Sequence, residues 1–119
     1  MNYRNLEVWQ LARELVIAIH EMTLTKLPKF EMFEEGRRIR RAIESVKSTI
    51  VEGHGDLRYK QEFVKFVDYA LPLCHESADQ LDTLIATKSL TDVAIIDQLT
   101  RKLDELGRKL NLFLQSVER

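Results

Sequence analysis

Apolar side chains recur every three or four residues along four stretches of the chain, which is the spacing of one face of an α-helix. The predicted helices cover residues 6–25, 33–52, 58–88 and 91 to the C-terminus. Because the connections are short, successive helices are expected to lie antiparallel. The pattern predicts an all-α fold, an antiparallel up-down-up-down four-helix bundle that forms a single domain over residues 1–119.

Each predicted helix carries one apolar stripe, and we expect the four stripes to meet in a shared core. The fourth helix keeps a heptad spacing along its whole length. The predicted core positions are Val8, Ala12, Leu15, Ile19, Met22, Ile39, Ala42, Ile43, Val46, Ile50, Phe63, Val67, Ala70, Cys74, Leu81, Leu84 or Ile85, Ile96, Leu99, Leu103, Leu106, Leu110, Phe113 and Val117.

Helix-breaking residues set the predicted boundaries. Pro28 ends the first helix, and Gly53-His54-Gly55 stops the second, because glycine tolerates the left-handed geometry of a helix end. Pro72 lies inside the third helix and is expected to kink or split it near Leu71. Thr91-Asp92 is expected to cap the fourth helix.

The stripe on the first helix is wider than one core face requires. Trp9, Val16 and Ile17 lie beyond the core positions of that helix. Surplus apolar surface on a small bundle indicates a contact with another subunit. We therefore predict a homo-oligomer with Trp9 and Val16 in its interface.

Composition narrows the classes of function. The net charge is −1, and no apolar run approaches the ~20 residues of a membrane span. The N-terminus lacks a signal-peptide core, and one cysteine, Cys74, suits a reducing compartment. These features predict a cytoplasmic protein without a membrane partner.

We find no motif for catalysis, a metal or a cofactor. No histidine follows a glutamate at the spacing of a di-iron bundle, and zinc motifs are absent.

Two weaker arrangements of polar residues remain. His75, Glu76 and Asp79 form a small polar group that is typical of a solvated face. Arg13 and His20 loosely match the Arg-x6-His pattern of HEPN-type ribonucleases, but they lie on an early helix.

An arginine cluster is the sharpest polar feature. Residues 37–47 contain five basic side chains and one acid, whereas residues 62–105 contain nine acids and four bases. Clustered guanidinium groups can bind phosphates of RNA or DNA, and equally can form ion pairs within or between subunits. The first interpretation uses Arg37, Arg38, Arg41 and Lys47; the second uses Arg40, Arg41, Glu52 and Glu76.

The order of motifs resembles the bacterial four-helix-bundle proteins encoded in intervening sequences of 23S ribosomal RNA genes. The resemblance spans nearly the whole chain. Its motifs are Leu6-Glu7-Val8-Trp9-Gln10-Leu11-Ala12, Lys26-Leu27-Pro28 with Glu31, Ile39-Arg40-Arg41-Ala42, Ser45-Val46, Ile50-Val51-Glu52-Gly53-His54-Gly55, Phe63 with Phe66, and Glu76.

This resemblance implies a non-enzymatic protomer that assembles into a ring-like homopentamer. It also implies kinship with the accessory variability protein of diversity-generating retroelements, which binds reverse transcriptase and nucleic acid. Three positions depart from the family pattern: Thr49 replaces an asparagine, Asp56 replaces an arginine, and Pro72-Leu73 replaces Gly-Ser. The loss of positive charge at Asp56 weakens the analogy to nucleic-acid binding.

Overall fold

A computed structural model describes residues 2–55 and 60–118; the side chains of 55, 60–64, 66, 67, 117 and 118 lie outside this description. No strand occurs within the described ranges. A 3-10 turn, Tyr3–Asn5, precedes five helices. These are α1 (Glu7–Thr25), α2 (Lys29–Phe33), α3 (Glu35–Gly55), α4 (Lys60–Ala86) and α5 (Val93–Glu118).

Four long helices, α1, α3, α4 and α5, form an elongated bundle of 45 × 21 × 20 Å. In the bundle α3 packs against both α1 and α4, and α5 packs against α4 and α1. The all-α four-helix prediction is confirmed. No described helix combines the length and the apolar character that crossing a membrane requires.

Contacts between helix ends fix the relation of α1 to α5. Lys26, just after α1, forms an ion pair of 3.2 Å with Asp92, just before α5. Lys109, in the second half of α5, contacts the carboxylate of Glu7 at the start of α1. Such contacts, in which the end of one helix lies beside the start of the other, are those that antiparallel neighbours make. Asp92 also caps α5 as predicted, since its Oδ1 accepts a hydrogen bond from the Ile95 amide at 3.2 Å.

The predicted core is buried almost throughout the described residues. Only Ile85, Ile96 and Phe113 are half-buried, at the edge of the core. Phe63, Val67 and Val117 lie outside the described side chains. Apolar periodicity was therefore sufficient to identify the residues that hold the bundle together.

The short helix α2 is absent from the sequence prediction. It occupies the predicted connection after Pro28, and its Glu31 joins it to the start of α3 and to the connection between α4 and α5. Glu31 Oε1 accepts a hydrogen bond from the Glu35 amide at 3.1 Å, and Oε2 accepts one from the Ser89 hydroxyl at 2.8 Å. A five-residue helix depends on such tertiary contacts because short helices are unstable by themselves.

Two predicted breaks differ in the structure, since α3 ends only at the last glycine of its predicted stop and α4 is not split. Helix α3 continues through Gly53 and His54 to Gly55, because a glycine costs a long helix only ~1 kcal/mol relative to alanine. Helix α4 is unbroken at Pro72, so the predicted split does not occur. The side chain of Pro72 is exposed, so the carbonyl that loses its amide partner lies on the outer face, where water can replace that partner.

Candidate nucleic-acid interface

The predicted arginine cluster lies in the first half of α3, and Arg40 is the member that turns inward. Its Nη1 donates a hydrogen bond to Thr23 Oγ1 at 2.8 Å, and its Nη2 donates one to the Met32 carbonyl at 3.1 Å. Arg40 is half-buried and joins α1, α2 and α3. It is a structural residue of the bundle rather than part of an outer basic surface.

Arg37 and Arg41 lie four residues apart and share the outer face of α3. Both side chains are exposed. Neither forms an ion pair with any residue in the described ranges. Arg38 is also exposed, but its Nη1 lies 3.7 Å from Glu35 Oε2. Of the four arginines in this cluster, Arg37 and Arg41 are therefore the two that are free to meet an external anion.

Lys47 does not join this pair. It lies ten residues beyond Arg37, or ~15 Å along the helix axis. Lys47 is half-buried and lines a cavity with Arg13 of α1 and Arg4 of the 3-10 turn. The structure thus divides the four predicted nucleic-acid-binding residues between an exposed arginine surface and a separate basic cavity.

The predicted ion pairs do not form within the described part of one protomer. Glu52 and Glu76 are exposed and line one cavity between α3 and α4, of about 560 Å³, without an arginine among its lining residues. Glu76 instead accepts a hydrogen bond from Gln80 Nε2 at 3.2 Å. Arg40 donates its hydrogen bonds to Thr23 and Met32 instead of to these acids. Pairing of Arg41 across a subunit contact stays a prediction.

Trp9 and Val16, the predicted interface residues, are half-buried and pack against the core. The ring of Trp9 meets that of Tyr3 edge to face, with centroids 5.3 Å apart. Several large apolar side chains of the described residues are exposed, and of these only Ile17 belongs to the widened stripe of the first helix. They are Ile17, Leu24, Phe30, Phe33, Tyr69, Val93 and Leu112.

The remaining candidates show no assembled reaction centre. Arg13 and His20 are both exposed on α1, and His20 does not line the basic cavity. Among the described residues, no group of three or more histidine, cysteine or acidic side chains could hold a metal ion. Cys74 is buried in the core, and burial raises the pKa of its thiol to about 11.

Comparison with known proteins gives two likenesses. A crystal structure of a protein of unknown function from the S23 ribosomal protein family of Bacteroides thetaiotaomicron VPI-5482 superimposes with a TM-score of 0.80 at 19% identity. The likeness covers 90% of this chain and 97% of that one, and it concerns the fold. No curated protein matches the chain. The sequence model of the 23S rRNA-intervening sequence proteins matches residues 4–112, and the chain therefore belongs to that family.

Proposed function

We propose that this protein is a non-catalytic assembly protein that works as a homo-oligomer, a ring of five subunits as the family resemblance implies. The observation that carries this proposal is a group of exposed apolar side chains at one end of the bundle. Phe30 and Phe33 of α2 are 66% and 60% exposed, and Val93 at the start of α5 is 78% exposed. Leu24, near the end of α1, is also exposed.

These residues share one end of the molecule because α2 follows α1 directly and the Lys26–Asp92 ion pair brings the start of α5 to the end of α1. We call Leu24, Phe30, Phe33 and Val93 the apolar end. Soluble monomers rarely expose several large apolar side chains together. A second copy of the chain is the partner that removes them from water.

The charges favour contacts between identical chains. The outer face of α3 carries the unpaired cations Arg37 and Arg41, while α4 exposes Asp68, Asp79 and Asp82. These three acids form no ion pair with another described residue. Opposite charges on different faces of one protomer favour head-to-tail contacts, which form a ring when the rotation between successive subunits closes.

The test is the mass of the purified protein and of two charged variants by light scattering. Phe33→Glu should dissociate the assembly by burying a charge in an apolar contact. Leu112→Glu is the matched control, since Leu112 is similarly exposed but lies in the last part of α5. An unchanged mass for Phe33→Glu, or an equal loss in both variants, contradicts the use of the apolar end.

A second candidate function is binding of RNA or DNA by the α3 arginines. The exposure of Arg37 and Arg41, without an acid in contact, favours it. Guanidinium groups of this kind bind phosphates through paired hydrogen bonds, and a ring would multiply a weak surface through avidity.

The experiment compares binding of a ribosomal RNA fragment at low and high salt. Backbone contacts predict an affinity that falls steeply with salt and is abolished in the double variant Arg37→Glu/Arg41→Glu. Arg101→Glu/Arg108→Glu makes the same change of charge on α5 and should retain binding. Equal losses in the two variants indicate nonspecific attraction and reject an α3 site.

A further inference from the structure

We propose that the cavity between the 3-10 turn, α1 and α3 binds the terminal phosphate and the planar base of a nucleotide. The cavity measures about 530 Å³, which lies in the range of small-molecule sites. It is separate from the apolar end and from the exposed arginines of α3. The proposal therefore goes beyond the assembly and does not depend on it.

Three cations from three elements converge on this cavity: Arg4 from the 3-10 turn, Arg13 from α1 and Lys47 from α3. None of them forms an ion pair with a described residue. Glu52 is the one acid among the described lining residues, whose side chains therefore sum to a charge of +2. A phosphomonoester carries −1.5 to −2 at neutral pH and matches that charge.

Hydrogen-bond donors complete the phosphate-binding character. Ser48 lines the cavity beside Lys47 and offers a hydroxyl. Trp9 also lines it, and the indole Nε1 is buried without a hydrogen-bond partner among the described residues. A buried donor without an acceptor costs free energy, and a ligand oxygen that reached this N–H would recover a hydrogen bond.

Aromatic side chains favour a nucleotide over a simple sugar phosphate. Tyr3 and Trp9 line the same wall, with ring centroids 5.3 Å apart. The Arg4 guanidinium lies 5.9 Å from the centre of the Tyr3 ring, which keeps a cation beside the aromatic surface. Aromatic rings and guanidinium planes are the surfaces on which bases stack.

The protein contains a single tryptophan, so its fluorescence reports on this cavity directly. Titration of the intact protein with AMP should give a saturable change of Trp9 emission. Ribose 5-phosphate should bind more weakly because it lacks the base, and adenosine more weakly still because it lacks the charge. Adenosine binding as tightly as AMP, or no response to AMP up to ~1 mM, overturns the proposal.

Variants separate the cavity from general attraction of anions. Arg13→Gln and Lys47→Gln should each weaken AMP binding about tenfold, because each removes a charged hydrogen bond. Arg37→Gln is the matched control on the outer face of α3 and should leave the affinity unchanged. Equal weakening by Arg37→Gln overturns the site. Circular dichroism checks that each variant is folded, and the AMP–adenosine comparison requires no variant.

A further binding experiment distinguishes a free nucleotide from the nucleotide at the end of an RNA strand. A short RNA with a 5′-phosphate and the same RNA with a 5′-hydroxyl present the same end of a strand with and without the phosphate. Tighter binding of the phosphorylated strand than of both AMP and the hydroxyl strand identifies a strand terminus as the ligand, whereas phosphorylated RNA that binds no more tightly than AMP identifies a free nucleotide. Because mass and fluorescence are measured separately, failure of the oligomer and failure of this site are distinguishable.

Discussion

The guanidinium of Arg40 and the hydroxyl of Thr23 meet across the α1–α3 contact at 2.8 Å, and Thr23 is fully buried. Thr23 Oγ1 in turn donates a hydrogen bond to the His20 carbonyl at 2.9 Å. The same arginine reaches the Met32 carbonyl, so one side chain ties the end of α1 and the last turn of α2 to α3. This contact separates Arg40 from its three neighbouring arginines in the cluster.

Replacement of Arg40 by alanine should destabilise the protein by ~2–3 kcal/mol, because hydrogen bonds to a charged group are lost and buried acceptors remain. Chemical denaturation measures the difference. Arg41→Ala is the control, since Arg41 is exposed and should change the free energy of unfolding by less than ~0.5 kcal/mol. Similar values for the two variants would contradict the structural role of Arg40.

Gly36 and Gly107 should respond in opposite ways to replacement by alanine. A Cβ atom at Gly36 would lie 2.8 Å from the Glu31 carbonyl oxygen and 3.2 Å from Leu27 Cδ1, so Gly36→Ala should cost ~1–3 kcal/mol. A Cβ atom at Gly107 would meet only Cys74 Sγ at 3.9 Å.

Gly107→Ala should therefore stabilise α5 by up to ~1 kcal/mol through the higher helix propensity of alanine. Thermal unfolding of the two variants provides the comparison. A gain of stability for Gly36→Ala would show that α2 does not pack closely against the start of α3.

Lys88 is the one described residue other than glycine with a positive φ, at 64°. It follows α4, where the Lys88 amide donates to the Ile85 carbonyl at 3.0 Å. Left-handed backbone costs an L-residue ~1–2 kcal/mol, so Lys88→Gly should raise the free energy of unfolding by about 1 kcal/mol. Lys65→Gly, inside α4, should lower it by a similar amount. A loss of stability for Lys88→Gly would contradict this geometry.

Cys74 should make stability fall in alkaline solution. Burial raises the pKa of its thiol from 9.0 to about 11, so between these values the unfolded chain has lost a proton that the folded chain retains. The free energy of unfolding then decreases as pH rises, by at most ~1.4 kcal/mol per pH unit.

Denaturation of the wild type and of Cys74→Ala on both sides of pH 9 tests this effect. The variant should be less stable near neutral pH because it loses core packing, but its stability should fall less steeply with pH. Parallel pH profiles would show that the thiol does not contribute.

The sequence predicted the bundle because helical periodicity is a local property. The buried face of α3 can be recognised within a few residues of sequence, from the spacing of Ile39, Ile43 and Val46. Helix α2 could not be predicted in this way, since Glu31 is held by Ser89, 58 residues away. Tertiary contacts of that range leave no local pattern.

The candidate sites were predicted less completely, because tertiary contacts also decide which of their residues come together. Arg40 and Arg41 are adjacent, yet one bonds Thr23 and the other faces solvent. One signal was available: Arg40 lies three residues before Ile43, at the border of the apolar stripe. The basic cavity combines Arg4, Arg13 and Lys47 from three elements, and only the packing of those elements brings the three together.

Sedimentation equilibrium of the untagged protein at micromolar concentration decides whether identical chains assemble. The protomer mass is 13.9 kDa. We expect a single species of about five times that mass, which is stable on dilution through the micromolar range. A species of 13.9 kDa at every concentration would contradict it.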